Sequence, residues 1–536
     1  MATKSKTSRP SGSARRLALR GKAAPKRATA AKAPLRKVVA KPTAAKPGKG
    51  RVEHYDVIIA GAGISGVGAA WHLAHEMPGT SFLVLEALET FGGTWAIHTY
   101  PGIRSDSDLH TFGYRFKPWV GPPIATAQEI LSYMGEVIKE GRLDRHIRYR
   151  HRILSASWSS KEKKWTLDVQ LSDGSTKTFT CNFLWMCQGY YEPSRGYTPE
   201  WKGMTDFSGR IIHPQTWPDD ADLKGKRVIV IGSGATAATL VPAIADECAH
   251  VTVLQRSPTY FVPGRNANDL AEILRQIDVD EHVVHDLVRR KILFDQANFT
   301  RRSFEEPEAV RKELLDAVRM CGVPEDMIEK HFTPRYRPWS QRIAFVPDGD
   351  IFRAVLSGKA SIETDEIDCF TKQGIRLKSG KELAADVIIT ATGFNLSVLG
   401  GIPFSVDGRQ VNFADTITYR GMMFTGVPNM LWVFGYFRAS WTLRVDILAD
   451  FVVRLLKHMK KKKMRQVELR LRPEDKGMKI LPWMDPENFN PGYLMRAMHL
   501  MPKRGSNAIW QHTQDYWKER NELPAVNLDG KEFKYG

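Results

Sequence analysis

Two glycine-rich turns in this sequence have the spacing of dinucleotide cradles. Gly61-Ala62-Gly63-Ile64-Ser65-Gly66 follows the apolar run Tyr55–Ala60 and leads into a segment of helical periodicity. In that setting Gly61 permits a tight turn, Gly63 lets a pyrophosphate approach the backbone, and Gly66 lets helix and strand pack closely. The pattern alone is weak in a chain with 42 glycines, so its context decides. Glu86 ends the next strand, where a carboxylate accepts hydrogen bonds from ribose hydroxyls and repels a 2′-phosphate, which selects FAD or NAD over NADP. A second turn, Gly232-Ser233-Gly234-Ala235-Thr236-Ala237-Ala238, follows Arg227–Ile231, and its second strand ends in Arg256-Ser257 instead of an acid. A guanidinium and a hydroxyl at that spot suit the 2′-phosphate of NADPH.

The elements that must position these turns alternate between strand and helix. The first unit runs from Tyr55 through a helix to about His75 and a strand at Phe82–Glu86; a helix is expected over 125–141, with Gly135 as its one internal breaker. Period-two runs at Ile147–Trp158, Trp165–Leu171 and Lys177–Trp185, with Asp173-Gly174 as a hairpin turn, predict a meander joining two nucleotide-binding units. The second unit predicts a helix to about Cys248 and a strand at Val251–Gln255; residues 266–330 read as a charged helical insertion, and Ile375–Thr392 returns to strands. The fold class expected is α/β with two interleaved Rossmann-like domains. Its parts are a disordered basic tail over 1–52, a first FAD-binding part over 53–220, an NADPH-binding part over 221–375 and a second FAD-binding part over 376–536.

Composition narrows the classes further. The 536 residues are 42% hydrophobic and 26% charged, which excludes a wholly disordered or fibrous chain. Of the net charge of +19, fifteen Lys and Arg lie in residues 1–50 with no carboxylate among them, leaving a nearly balanced remainder. Such a tail predicts disorder and salt-dependent, nonspecific contact with a polyanion or an anionic membrane surface; its acid-free Arg/Ser content also fits a transit peptide, without the amphipathic stripe. Cys181, Cys187, Cys248, Cys321 and Cys369 contain no C-x-x-C pair, so neither a disulfide framework nor a Cys-based zinc site is expected, and no metal is assigned. The longest apolar run, Val57–Trp71, is broken by four glycines and too short to cross a bilayer. A cytoplasmic location follows as the expectation.

Two longer motifs carry a family resemblance. Phe207-x-Gly209-x-x-x-His213-x-x-x-Trp217-Pro218 and Gly92-Gly93-x-Trp95-x-x-x-x-Tyr100-Pro101-Gly102-x-x-x-Asp106 resemble the fingerprints of the type I Baeyer–Villiger monooxygenases, a class B flavin-dependent family. Tyr100–Asp108 and Trp339–Ile343 are most similar to its ethionamide-activating subgroup, which oxygenates ketones and soft sulfur centres. The resemblance spans Tyr55 to about Trp517 and implies an enzyme using FAD, NADPH and O₂, in which a peroxyflavin attacks a carbonyl to give an ester or lactone. It assigns Arg342 as the cation beside the anionic peroxide and Asp106 as its partner. It further implies that Arg104 and Ser105 line the nicotinamide side, that Thr94 and Trp95 flank the flavin, that Ser65 meets the pyrophosphate and Ile153 the adenine, and that His213 orients or gates the linker between domains.

This chain departs from the family in two places. Gln341 stands where many relatives carry Lys, which throws the 2′-phosphate contact onto Arg256, and Ala96–Thr99 replace a commonly aromatic stretch. Two other readings stay open at this level: a heteroatom N- or S-hydroxylating flavin monooxygenase, and a polyanion-binding protein whose tail works while its flavin fold is vestigial.

Overall fold

The structure, a computed structural model, describes residues 52–536. The tail expected over 1–52 lies outside the described residues except for Val52. Strand β1 (Glu53–Ala60) turns at Gly61 into α1 (Ile64–Glu76) and returns as β2 (Phe82–Leu85). β1 and β2 pair in parallel, with Ile58 opposite Leu83, and Val57–Ala60 and all of β2 are buried. A strand covered on both faces needs such an unbroken apolar run. The expected helix forms over Ala127–Glu140, started by a reciprocal Thr126–Glu129 capping box.

The meander is β3 (Arg152–Ser159), β4 (Lys164–Gln170) and β5 (Thr176–Met186), with Asp173-Gly174 at the turn as expected. It does not join two units. β5 lies beside β1 in the first sheet, with Leu184 opposite Ile58, so the meander belongs to one nine-stranded layer. Its length explains this: β5 has 11 residues, its first half pairs with β4 (Cys181 opposite Trp165) and its second half with Met430–Trp432 (Leu184 opposite Met430). The run expected over 147–158 is interrupted by Arg150, whose φ of 57° breaks the extended backbone; Ile147–Arg148 pairs with β2 instead.

The second fold repeats the plan with β6 (Arg227–Ile231), α2 (Ala235–Ile244) and β7 (His250–Gln255). Its sheet has five parallel strands in the order Ala360–Thr364, β7, β6, Val387–Thr390, Arg210–Ile212. Two of its strands, Arg210–Ile212 and Val387–Thr390, lie outside the 221–375 span expected for this part and hydrogen-bond into this sheet. α2 also stops at Ile244, short of Cys248. Pro242 has no N–H for the carbonyl of Ala238, and the helix stops two residues beyond it. The insertion is helical as expected, chiefly Asp269–Gln276, Glu281–Glu305 and Pro307–Met320.

The long helix Trp441–Lys461 packs on α1 where Gly68 leaves room: a Cβ there would stand 2.9 Å from Tyr114 and 3.2 Å from Val445. At this junction His72 lies 2.5 Å from Glu76 and 3.4 Å from Asp446, while Arg115 grips Asp450 through two nitrogens. Burial pushes the His72 imidazole down, but the two carboxylates outweigh it and lift its pKa to about 9. His72, Glu76 and Asp450 are close enough to hold a metal ion, yet the protonated imidazole and Arg115 already supply positive charge there. A folded pKa above the unfolded value near 6.5 contributes stability that is complete below the unfolded value and is lost as pH rises through about 9. The thermal stability lost in His72→Phe is therefore expected to be largest near pH 6 and to shrink toward pH 10; a difference that does not change with pH counts against a charged His72.

Candidate active site

Both glycine turns have the geometry their spacing implies. Gly61 adopts φ +100°, and a Cβ on Gly66 would lie 1.8 Å from the carbonyl oxygen of Gly61, so only glycine lets α1 sit this close to β1. Gly63 faces Gly93, whose own Cβ would approach the Gly63 Cα to 3.1 Å. In the second turn Gly232 adopts φ +121°, while a Cβ on the exposed Gly234 would meet nothing within 4 Å. Ala237 fills the third place and is buried. Neither α1 nor α2 has a side-chain N-cap, in contrast to the capping box of Ala127–Glu140. Their first amides are left for an anion in front of each turn, which fits the two diphosphates of FAD and NADPH.

Glu86 is 6% exposed and clamps the first turn. Its Oε2 accepts from the Ala62 amide at 2.6 Å and its Oε1 from the Leu88 amide at 2.8 Å. Burial nevertheless raises its pKa, against the pull of those backbone bonds. The amide of His151, two residues before Ile153, donates to the Glu86 carbonyl at 2.8 Å; Ile153 itself buries its side chain in the core. Thr94 is exposed and Trp95 half-buried, edge-on to Phe112 at 5.7 Å. Ser65 is buried, and its Oγ accepts from Trp441 Nε1 at 2.8 Å.

Trp441 connects this turn to a group of tyrosines beside Arg342. Its ring stacks on Tyr190 at 5.1 Å, and Tyr190 donates its hydroxyl to that of Tyr191 at 2.9 Å. Tyr191 in turn lies edge-on to Tyr493 at 5.9 Å. Burial pushes all three phenols up, so they stay neutral beside Arg342. Arg342 Nη2 donates to Asp106 Oδ2 at 2.8 Å, joining residues from the two folds as the family resemblance implies. The Asp106 carboxylate holds the Arg342 pKa far above its ordinary value, so the guanidinium is a permanent cation; its side chain still keeps 37% of its accessibility. Three residues earlier Trp339 adopts φ 63°, a strained conformation for a tryptophan. Arg438 clamps it, donating to the Trp339 carbonyl at 3.1 and 3.2 Å and to the Asn488 carbonyl at 2.6 Å.

Arg104 and Ser105, expected on the nicotinamide side, each have partners within the protein. Ser105 is buried and its hydroxyl donates to the Ser107 carbonyl at 2.8 Å within its own loop. Arg104 donates to Asp350 at 2.6 Å and to the Ala238 carbonyl at 3.3 Å. That carbonyl is the one Pro242 deprives of a helix donor, so a guanidinium from the first fold completes a helix of the second. Arg104→Met is expected to cost about 2–3 kcal/mol, and adding Pro242→Ala, which returns an N–H to α2, is expected to recover part of it. Chemical denaturation of the single and double variants checks this; strictly additive losses refute it.

The fingerprint Phe207–Trp217 is structural in its details. Phe207 packs against Phe370, and a Cβ on Gly209 would lie 2.3 Å from the Asp386 carbonyl. His213 caps the turn Pro214–Thr216: its Nδ1 accepts from the Gln215 amide at 3.1 Å, and its Nε2 donates to the Gly393 carbonyl at 3.1 Å. Burial lowers its pKa and both nitrogens are occupied, which suits an orienting residue. Trp217 packs against the core of the second fold. At the second turn Ser233 Oγ reaches Thr259 Oγ1 at 3.0 Å and the Ser257 carbonyl at 3.3 Å, and Arg256 and Ser257 are exposed at the end of β7. Trp441, Tyr190, Tyr191, Tyr493 and Arg438 carried no motif and were missed in the sequence.

Known proteins resemble this chain in sequence and in fold. Residues 59–120 match a model of the NAD(P)-binding Rossmann-like domain and residues 120–269 one described as flavin-binding monooxygenase-like. The FAD-containing monooxygenase EthA of Mycobacterium tuberculosis is 45% identical over 486 residues, 90% of this chain and 98% of that protein. The probable FAD-binding monooxygenase AlmA of an Acinetobacter species is 43% identical over 88% of this chain and 95% of its own length. In fold, the chain resembles a steroid monooxygenase bound to NADP, with a TM-score of 0.70, 22% identity and coverage of 90% and 99%. It also resembles a cyclohexanone monooxygenase, with a TM-score of 0.68, 19% identity and coverage of 90% and 100%. With two glycine turns built for dinucleotides, an Arg342–Asp106 pair between them and relatives alike over nearly their whole length, the chain belongs to the flavin-binding monooxygenase-like family.

Proposed function

We propose that this protein is an NADPH-dependent, FAD-containing monooxygenase that inserts one oxygen atom of O₂ into ketones, giving esters or lactones, and oxidises soft sulfur centres. The balance is one ketone, O₂, NADPH and a proton giving one ester, water and NADP⁺. FAD, when bound, supplies the oxygen-transferring chemistry. The chain's residues bind it through the first turn and Glu86, bind NADPH through the second turn and Arg256-Ser257, and hold a fixed positive charge at Arg342. The observation that supports this reading is the Arg342–Asp106 bond at 2.8 Å, which pairs a cation of the second fold with a carboxylate of the first. Incubation of the flavin-loaded protein with NADPH and ¹⁸O₂ over a cyclic ketone, a linear ketone and a thioether tests it. Labelled ester and sulfoxide are the expected products; sulfoxide alone would make it a heteroatom hydroxylase, and no label in any product would overturn the reading.

The tail adds an electrostatic contact of its own. Fifteen cations without a carboxylate in residues 1–50 suit nonspecific, salt-sensitive attachment of a cytoplasmic enzyme to an anionic surface. None of the described helices is long and apolar enough to cross a membrane.

A further inference from the structure

A cavity of about 130 Å³ lies where the helical insertion meets the segment before Arg342. Its lining holds three guanidiniums, Arg311, Arg335 and Arg337, together with Tyr260 and Tyr336. Arg311 and Arg337 are half-buried and Arg335 is exposed, so a solute can reach them. None of the three forms an ion pair among the described residues. The arginines nearby do: Arg301 holds Glu305, Arg302 holds Glu306 and Glu313, and Arg319 holds Glu325. Arg337 instead donates to the carbonyls of Ser303 at 3.2 Å and Pro338 at 3.0 Å and lies over Phe304, with Arg438 over the same ring at 5.0 Å. Burial lowers the Arg337 pKa, with no carboxylate to offset it.

Charge and size narrow the ligand. Glu308, which is exposed, is the one carboxylate on the lining, so three cations face one anion and leave a charge of +2. The lining includes the first turn of the helix Pro307–Met320, which has no side-chain N-cap and adds the positive end of its dipole. At about 30 Å³ per water, the volume has room for about four oxygen-sized atoms, as many as a phosphate carries. A phosphate monoester has a charge of about −2 at neutral pH, and its oxygens match the planar forks of arginine. The second cradle lies close by. Ser233 of its glycine turn reaches Thr259 at 3.0 Å, and the next residue, Tyr260, donates to the Tyr336 carbonyl at 2.9 Å. From Arg256, which follows the end of β7, to Tyr260 the chain spans at most about 14 Å.

We propose that this cavity receives the adenosine 2′-phosphate of NADPH, with Arg311 and Arg335 acting beside Arg256 as the residues that separate NADPH from NADH. The inference rests on the reading above that the second turn holds NADPH, and it shares the discrimination between Arg256 and a cluster that carried no motif. Arg337, tied to Ser303 and Pro338, fixes the wall. Arg311 and Arg335 have no partner among the described residues to give up when the phosphate arrives.

The test titrates the flavin-loaded full chain with NADP⁺ and with NAD⁺ by calorimetry. Arg311→Gln and Arg335→Gln are each expected to weaken NADP⁺ about tenfold and to leave NAD⁺ unchanged. Lys312→Gln removes an exposed charge from the same helix outside the cavity and should change neither. A ratio of NADP⁺ to NAD⁺ affinity that keeps its wild-type value in both arginine variants overturns the proposal. So does an equal loss in Lys312→Gln, which would show a general field and not a site. Inorganic phosphate is the third ligand: binding to the wild type that disappears in the arginine variants, while the ratio holds, would assign the cavity to a different phosphate and overturn the proposal as well. If one arginine variant fails to retain flavin, the other decides. A wild type that binds NADP⁺ and NAD⁺ equally refutes the NADPH reading and the proposal with it, whereas a discriminating wild type with unaffected variants refutes the proposal alone.

Discussion

Arg342→Ala is expected to lower oxygenated product by about three orders of magnitude while NADPH oxidation continues. Attack of an anionic peroxide on a carbonyl would pass its negative charge to the carbonyl oxygen, and a group that stabilises that charge throughout must be cationic at every working pH. Arg342 meets that demand because Asp106, 2.8 Å away, holds the guanidinium charged and fixes its orientation. A unit charge about 4 Å from the developing anion, at an effective dielectric near 20 appropriate to a partly solvated cleft, contributes about 4 kcal/mol, which is about three decades of rate. Hydride transfer from NADPH needs no such cation, so reduced cofactor should still be consumed, with its electrons appearing as hydrogen peroxide. Arg342→Lys keeps the charge but not the planar fork that meets Asp106, and an intermediate yield is expected. Measuring product and peroxide per NADPH checks the split; an alanine variant with wild-type product per NADPH would remove Arg342 from oxygen transfer.

How much of this was legible in the sequence depended on how local its cause was. Gly61, Gly66 and Gly232 could be read because the strand before each turn and the helix after it lie within about fifteen residues, and the structure gives each the conformation or the contact that requires glycine. The second and third strands of the meander were read correctly and their destination was not, because β5 takes Met430–Trp432 as a partner almost 250 residues on, and no periodicity encodes that choice. The same distance hid the tyrosine wall: Trp441 reaches Ser65 across 376 positions. The contact of Arg104 with the Ala238 carbonyl was hidden in the same way. The carbonyl it serves was orphaned by a proline in another element, a cause that appears only when the two folds are docked. The Arg342–Asp106 pair, 236 positions apart, was reached through family resemblance and not through spacing.

Glu86→Gln is expected to weaken FAD retention by about a hundredfold, although it changes one atom. The carboxylate accepts from the Ala62 amide with one oxygen and from the Leu88 amide with the other. A glutamine has one acceptor oxygen, so whichever way its amide turns, an NH₂ group faces one of those N–H donors at hydrogen-bond distance. One buried donor is then unsatisfied and another opposed, a penalty of about 3 kcal/mol in a site that is 6% exposed. The damage falls on the first glycine turn, since Ala62 lies between Gly61 and Gly63, and the ribose hydroxyls lose an ionised acceptor as well. Acid should reproduce the effect in the wild type. Burial raises the Glu86 pKa, and bound ribose favours the ionised form, so FAD affinity is complete above the raised value and falls as pH drops through it. Release of flavin on acidification is therefore expected to begin at higher pH than the titration of an exposed glutamate, and Glu86→Gln should show no corresponding step. Flavin fluorescence followed during a pH titration of both proteins measures this; a matching acid step in the variant would assign the pH dependence to another group.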